Sequence, residues 1–411
     1  MKNLSLTLIA SAVSLLTAQA EQLERSFAED LAFLKQHTDV VELCDGERRL
    51  AVVPMYQGRV MTSTHSTQSS ASYGWLNYAL IEGGFLSEAK RKGTLEDHLY
   101  AFGGEERFWM GPEGGQFSIF FKPGTPFEFA HWKTPASLDT LPFEVVSQSS
   151  SSIVFKHDAQ LMNHRGTRFS VGIERKVELL DRAAVEQMMG APVPAGAEYV
   201  GYASENVLKN SGEQAWTKDS GLLSIWILGM YKPTATTTVV VPYRAGDEAV
   251  LGPIVNDRYF GKVPAEHLRV TESAIYFKGD GTRRGKIGVS PERSKGLAGS
   301  YDAAGKVLTL VNYNVPEEHE GYVNSMWEHQ EQPYVGDVIH SYNDGSAGPG
   351  LEPLGPFYEL ETSSPAAALQ PGQSIRHIQR TVHFSGVESA LDVIAQQALG
   401  VSLAEIEKAL P

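Results

Sequence analysis

SYNDGS at Ser341–Ser346 and LGPFYELETSSPAAALQPGQSIRHIQRTVHF at Leu354–Phe384 decide the reading of this chain. Asn343-Asp344-Gly345 predicts a turn, because Asn and Asp tolerate left-handed backbone and Gly adopts it freely. After Pro356 the run Phe357 to Glu361 alternates. Phe357, Glu359 and Glu361 share one strand face, and Tyr358 and Leu360 share the other. Two carboxylates on one strand face repel each other. Unless solvated or paired with Arg, such a face reads as a site rather than as core.

Working outward, Arg168 to Leu179 is the clearest strand: Phe169, Val171, Ile173, Val177 and Leu179 share a face. Arg175 falls on that apolar face, where charge is costly unless paired. It either crosses to a carboxylate or sits at a frayed end. Further strands are predicted at Arg49–Val53, Arg59–Thr62, Phe117–Phe121, Tyr199–Ala203, Leu222–Met230, Thr236–Val241, Ala274–Phe277, Lys286–Val289 and Val307–Tyr313. Helical spacing is confined to the ends and one short stretch. An amphipathic helix is predicted over Gln22–Gln36 and a turn or two over Leu95–Phe102. A C-terminal helix follows Ser385, with Glu388 in capping-box spacing and Val387, Leu391, Ile394 and Ala398 as its stripe. Gly400 closes it, and Ser402 with Glu405 opens another. Many short strands separated by turn residues imply an all-β sandwich, one domain over residues 21–411 with terminal helices.

The 411 residues carry a net charge of −14, which argues against nucleic acid and anionic membrane as partners. Met1-Lys2-Asn3, an apolar run from Leu4 to Leu16 and Ala18-Gln19-Ala20 read as a signal peptide over residues 1–20, cut after Ala20. A periplasmic or secreted protein with no membrane anchor is expected. Cys44 is the single cysteine, so no intramolecular disulfide forms and the core must hold the fold.

Several segments carry candidate chemistry. In Gly103–Pro123, Arg107 can donate two hydrogen bonds, Trp109 can stack on a sugar face, and Glu113 adds charge. In FEFAHWKTP, Phe127–Pro135, a strand-like alternation ahead of Pro135 carries His131, which suits proton transfer. In Val323–Asp337, Trp327 and Glu328 lead a polar and aromatic loop of the kind that holds hydroxyl-rich ligands. Lys286 and Arg293 are a basic pair that could meet an acidic sugar. No metal motif, serine-nucleophile elbow or dinucleotide fingerprint occurs, so no cofactor is expected.

Leu360-Glu361-Thr362, Pro365, the Leu369-x-Pro371-Gly372 turn and the closing Thr381-Val382-His383-Phe384 resemble the C-terminal segment of the aldose 1-epimerase (galactose mutarotase) superfamily. Segments from Gly103 onward are similar to an uncharacterised bacterial secreted family within it. The resemblance implies a galactose-mutarotase-like β-supersandwich of two large antiparallel sheets and a mono- or oligosaccharide in a cleft of the sandwich. It implies Glu361 as general base; Arg107, Trp109, Glu113, Trp327, Glu328, Asp344 and Glu359 are the residues expected to bind substrate. It also implies a histidine in a strand after an Asn-led turn. Here the comparable stretch follows Asn210 and holds Trp226 and no histidine. The acid is therefore expected from elsewhere, His131 first and His329 second. Two alternatives stay open: a sugar-binding protein without catalysis, and a polysaccharide lyase or glycosidase using Tyr or the Glu359–Glu361 pair.

Overall fold

The computed structural model describes residues 25–69, 71–346 and 352–411. The expected signal peptide and the first residues of the expected Gln22–Gln36 helix lie outside them. Five strands form the sheet that holds the YELET motif. In spatial order they are Gly285–Val289, Ile339–Asn343, Tyr358–Ser363, Ser224–Tyr231 and Arg107–Gly111. Ten strands form a larger sheet in the order Leu268–Val270, Ala274–Lys278, Thr237–Pro242, Leu297–Asp302, Val307–Tyr313, Ser374–Gly386, Ala197–Asn210, Arg168–Leu179, Ser152–Met162 and Glu144–Gln148. Pairing is antiparallel throughout both sheets.

The two sheets pack face to face, as two surfaces that are each apolar on one side must. Ile225 and Ile227 of the smaller sheet join Phe155, Val171 and Ile173 of the larger in one cluster. Ile287 and Leu360 join Val239 and Phe277 in another. Helices Glu388–Leu399 and Leu403–Glu407 cover the outer side of the large sheet, where Leu391, Ile394 and Ile406 meet Leu308, Val382 and Phe384. A third sheet, Val41–Asp45, Arg48–Val53 and Arg59–Thr64, is covered by helix Phe27–His37 through Phe27 and Leu34. The chain is thus an all-β supersandwich, with unequal sheets.

Arg168–Leu179 and Val307–Tyr313 fall where the sequence places them, and Leu95–Phe102 holds one helical turn, a 3₁₀ turn at Leu95–Asp97. Three expectations are corrected. The N-terminal helix begins at Phe27, after the capping box of Ser26 and Glu29. Phe117–Phe121 is no strand: the Ser118 hydroxyl binds the Glu113 carbonyl and accepts from the Phe120 N–H, so local bonds displace ladder bonds. Ser385 caps nothing, because the Ser374–Gly386 strand runs through it and the helix starts behind Val387 without a side-chain cap. Inside the Gly103–Pro123 stretch, Arg107–Gly111 is a strand, buried along its whole length.

Arg175 does cross to a carboxylate. It is fully buried between the sheets and donates to Glu106 at 2.7 Å, to Asn206 at 2.7 Å and to the Gly58 carbonyl at 3.2 Å. Gln379 donates to the other Glu106 oxygen at 3.1 Å. Removing one member of such a pair strands the other charge away from water. Arg175→Met is expected to lower unfolding free energy by about 3–5 kcal/mol, and adding Glu106→Gln should restore part of it. Urea titrations check this; a single variant as stable as wild type would mean the pair contributes nothing.

Candidate functional site

Strand register assembles one row of side chains. Glu361 lies opposite His340 and Leu228, and Glu359 opposite Tyr342 and Met230. Tyr342 in turn pairs with Lys286, Leu228 with Arg107, and Trp226 with Trp109. Directly paired residues project to the same side of a sheet. Tyr358 and Thr362 project to the other side and meet the large sheet, Tyr358 at Ser300 (2.8 Å) and Thr362 at His377 (2.8 Å) and Gln379 (2.6 Å). The expected cleft of the sandwich is therefore corrected. The carboxylates stand on the outer face of the smaller sheet, among the side chains of Glu113, Tyr259 and Trp327. Arg107, Glu359, His340 and Lys286 are each only 5–6% exposed, so this face is roofed but not sealed.

Glu361 is fully buried. Its Oε2 accepts from Lys286 Nζ at 2.8 Å and from Trp226 Nε1 at 3.0 Å. Burial, the largest single influence, pushes its pKa up, but the surrounding positive charges, Lys286 first and with its hydrogen bond, together hold the carboxyl below its usual range. Glu359 accepts from Arg107 Nη2 at 2.8 Å. Burial raises Glu359; Arg107 opposes the rise and the Glu361 charge adds to it, so Glu359 stays well above the usual carboxyl range. Arg107 lies over the Trp109 ring at 4.3 Å, and Lys286 over Trp226 at 4.9 Å, where the ring faces attract the cations.

A second chain of bonds reaches the same place. Tyr259 Oη donates to Asp337 at 2.7 Å and lies 3.0 Å from His340 Nε2; Asn256 also donates to Asp337, at 3.1 Å. Tyr259 has one proton, and Asp337 takes it. His340 Nε2 therefore carries the ring hydrogen, and Nδ1 is a bare acceptor. Burial and then Lys286 push His340 down to about 3, so the ring is neutral.

Glu361, Glu359, Arg107 and Trp109 are thus brought together. Trp109 is not an open platform: it is buried and donates to the Leu138 carbonyl at 3.1 Å. Glu113 is half-buried at the rim beside Trp327, with burial raising its pKa first and Lys286 opposing. Trp327 packs against Phe121 and Trp132. Asp344 is buried next to the row, accepting from Tyr342 Oη at 2.8 Å and Gly355 N at 2.9 Å. Glu328 and His329 are exposed and outside the row. His131 is corrected as well. Phe129–His131 is a 3₁₀ turn, not a strand, and it leaves His131 in solvent while Trp132 takes the interior. No hydrogen bond or ion pair among the described residues joins His131 to Glu361. The basic pair is split: Lys286 is taken by Glu361, and Arg293 is buried against the carbonyls of Arg244, Gly246 and Gly252.

Sequence reasoning missed His340 and Tyr259. The expected turn at Asn343-Asp344-Gly345 is corrected: Asn343 ends the strand, the Asp344 N–H still bonds the Phe357 carbonyl, and none of the three has left-handed backbone. A signal for His340 existed all the same: it alternates with Tyr342 on the strand that precedes YELET in the chain, and antiparallel pairing of those two strands sets it opposite Glu361. Tyr259 has no such signal. Among the described residues no cluster of His, Cys, Asp and Glu is arranged to hold a metal, and no helix is long and apolar enough to cross a membrane.

Fold and face together define an all-β supersandwich with paired buried acids and bases on the outer side of its smaller sheet. The chain belongs to DUF6786, a family of unknown function whose profile matches residues 25–410. No curated protein matches it. Among solved structures it is similar to the Slr1438 protein of Synechocystis sp. PCC 6803, at 13% identity over 85% of this chain and 96% of that one, with a TM-score of 0.49. It is also similar to a galactose mutarotase-like protein from Lactobacillus casei, at 9% identity over 84% of this chain and 100% of that one, with a TM-score of 0.46. At these identities and scores neither assigns a role to any residue here.

Burial raises Asp344 from 3.8 to about 6, against the opposing bonds from Gly355 and Tyr342. A raised carboxyl contributes stability that is full below the unfolded pKa and is lost as pH rises through the folded one. Asp344→Asn is therefore expected to be closest to wild type near pH 7. It should fall behind by roughly 2–3 kcal/mol as pH drops from about 6 to about 4, measured by urea unfolding at each pH.

Proposed function

We propose that this protein binds a sugar on the face around Glu361 and interconverts its anomers, as an aldose 1-epimerase does. One observation carries the reading. Four buried polar atoms on this face make no hydrogen bond within the protein: Glu361 Oε1, His340 Nδ1, Arg107 Nε and Ser224 Oγ. Buried polar atoms are normally paired, and leaving one unpaired costs about 1–3 kcal/mol. The four here come from four neighbouring strands: His340, Glu361 and Arg107 stand in one cross-strand row through Leu228, and Ser224 lies on the same face four residues along from Leu228. A sugar ring offers hydroxyls that donate to Glu361 and His340 and accept from Arg107 and Ser224. Its C–H faces suit the surrounding tryptophans.

In the reaction Glu361 Oε1 takes the proton of the anomeric hydroxyl. The C1–O bond of the ring opens as the ring oxygen is protonated, C1 turns, and closure from the other side gives the second anomer. Lys286 and Trp226 keep Glu361 ionised and therefore competent as a base. Export behind residues 1–20 would expose the protein to sugars outside the cytoplasm.

A second reading, sugar binding without turnover, is favoured by His340, whose buried ring resists protonation and so makes a poor acid. The glycosidase reading loses support. Glu359 and Glu361 are in hydrogen-bonding contact, whereas carboxyls that flank a glycosidic bond stand about 5 Å or more apart.

Polarimetry across common aldoses should show accelerated anomerisation of at least one. Glu361→Gln should slow it by about 10²–10⁴-fold while glycan-array binding persists. Array binding with no acceleration would establish the binding protein instead, and an unchanged rate in Glu361→Gln would remove the base.

A further inference from the structure

We infer that Glu359 and Glu361 hold one proton between them, and that Glu359 delivers it to the ring oxygen. The second half rests on the sugar reading above; the first does not.

Glu359 and Glu361 stand on one face of one strand with a single residue between them, and their carboxyls touch. Each has a cation on one oxygen: Arg107 on Glu359 Oε1, and Lys286 on Glu361 Oε2. Neither cation reaches Glu361 Oε1, which is buried and accepts no hydrogen bond. In the free protein a protonated Glu359, in contact with that carboxyl, can share its proton there; a bound anomeric hydroxyl takes its place at Oε1 and leaves the Glu359 proton for the ring oxygen.

The wider charge balance points the same way. Glu113, from the segment beyond the Arg107–Gly111 strand, and Asp337, ahead of the Ile339–Asn343 strand, add two more carboxyls to the field. Arg284, stacked on Phe260 at 3.9 Å, faces Glu113 and Asp344. His340 is neutral, and Tyr259 and Tyr342 resist ionisation. Full ionisation would thus leave negative charge in excess in a site largely withdrawn from water. Like charges in contact there do not both persist, and one proton is retained. The environments divide the pair: Lys286 favours the anion of Glu361, and burial favours the neutral acid of Glu359. Two carboxyls pushed apart in this way take the acid and base roles.

The step balances. Glu361 accepts the anomeric O–H proton, and that bond's electrons form the C1=O double bond. The C1–ring oxygen bond breaks with its pair on the ring oxygen, which takes the proton of Glu359. Glu361 is then neutral and Glu359 anionic beside Arg107, with the proton count of the pair unchanged. Closure reverses each transfer. Because both reacting oxygens are bonded to C1, a touching acid and base can serve them together.

Infrared difference spectroscopy on the intact protein at pH 7 tests the sharing. A protonated-carboxyl stretch present in wild type should be lost in Glu359→Gln and in Glu361→Gln. A spectrum that neither variant changes overturns it. Should the variants fail to fold, ¹³C labelling of the Glu carboxyls in wild type must still show one Glu protonated at pH 7, and its absence overturns the sharing. For delivery, Glu359→Gln should lower the anomerisation rate by about 10²-fold or more and abolish the fall in rate at high pH, with array binding retained. A wild-type pH profile in that variant overturns delivery. No anomerisation by any form removes delivery and the epimerase reading together, while the infrared result still decides the sharing.

Discussion

A carboxylate can leave water only if a counter-charge goes with it, and this constraint sets the width of the smaller sheet. Glu359 and Glu361 stand on its central strand. Their cations come from its two edges, Lys286 from Gly285–Val289 and Arg107 from Arg107–Gly111. Each reaches across one intervening strand, and two strand spacings amount to about 10 Å. Only long side chains with a charge at the tip close that gap. Their stems and the rings of Trp109 and Trp226 fill the space between, so apolar packing and ion pairing are satisfied by the same groups. The face is organised from its margins inward.

The adjacent pair Glu106-Arg107 shows how the site is tied to the scaffold. Alternation sends consecutive side chains to opposite sides of the strand. Arg107 goes outward to Glu359, and Glu106 goes inward to Arg175 and Gln379 of the large sheet. Glu361-Thr362 repeats the device: Glu361 faces the site and Thr362 bonds His377 and Gln379. Two dipeptides, on an edge strand and on the central strand, therefore lock the register of the sheets and the position of the acids at once. Interior hydrogen bonds are directional where apolar contacts are not. A slide of one sheet over the other would break them before it cost much buried area.

How much of this was legible in the sequence follows from the range of the interactions. The period-two run Arg168–Leu179 and the face shared by Glu359 and Glu361 are local patterns, and they were read directly. The partners of those acids are not local. Lys286 lies 75 residues from Glu361, Trp226 lies 135 away, and Arg107 lies 252 from Glu359. Only register brings them together, and register is a property of the whole sheet. The expectation for His131 failed at a finer level. Alternation was assumed across FEFAHW, but a 3₁₀ turn has a period near three, and it exchanges which of His131 and Trp132 is buried. Lys286 and Arg293 looked like a free basic pair because sequence shows charge and not the acceptors that neutralise it.

The environment of Glu361 also bears on which chemistry this face can perform. A general base must be ionised, yet each group that stabilises the anion weakens its hold on a proton. Lys286 and Trp226 both donate to it. An indole N–H can donate but cannot yield its proton, so Trp226 is a fixed support for the anion. Two groups beside Glu361 carry protons that could move, the Lys286 ammonium and the Glu359 carboxyl. Lys286 is committed to the anion by its charge and its hydrogen bond, and giving up its proton would remove the support that keeps Glu361 ionised. The protonation state of the second carboxylate of YELET is therefore what can vary at this face without dismantling the ion pairs that hold it together.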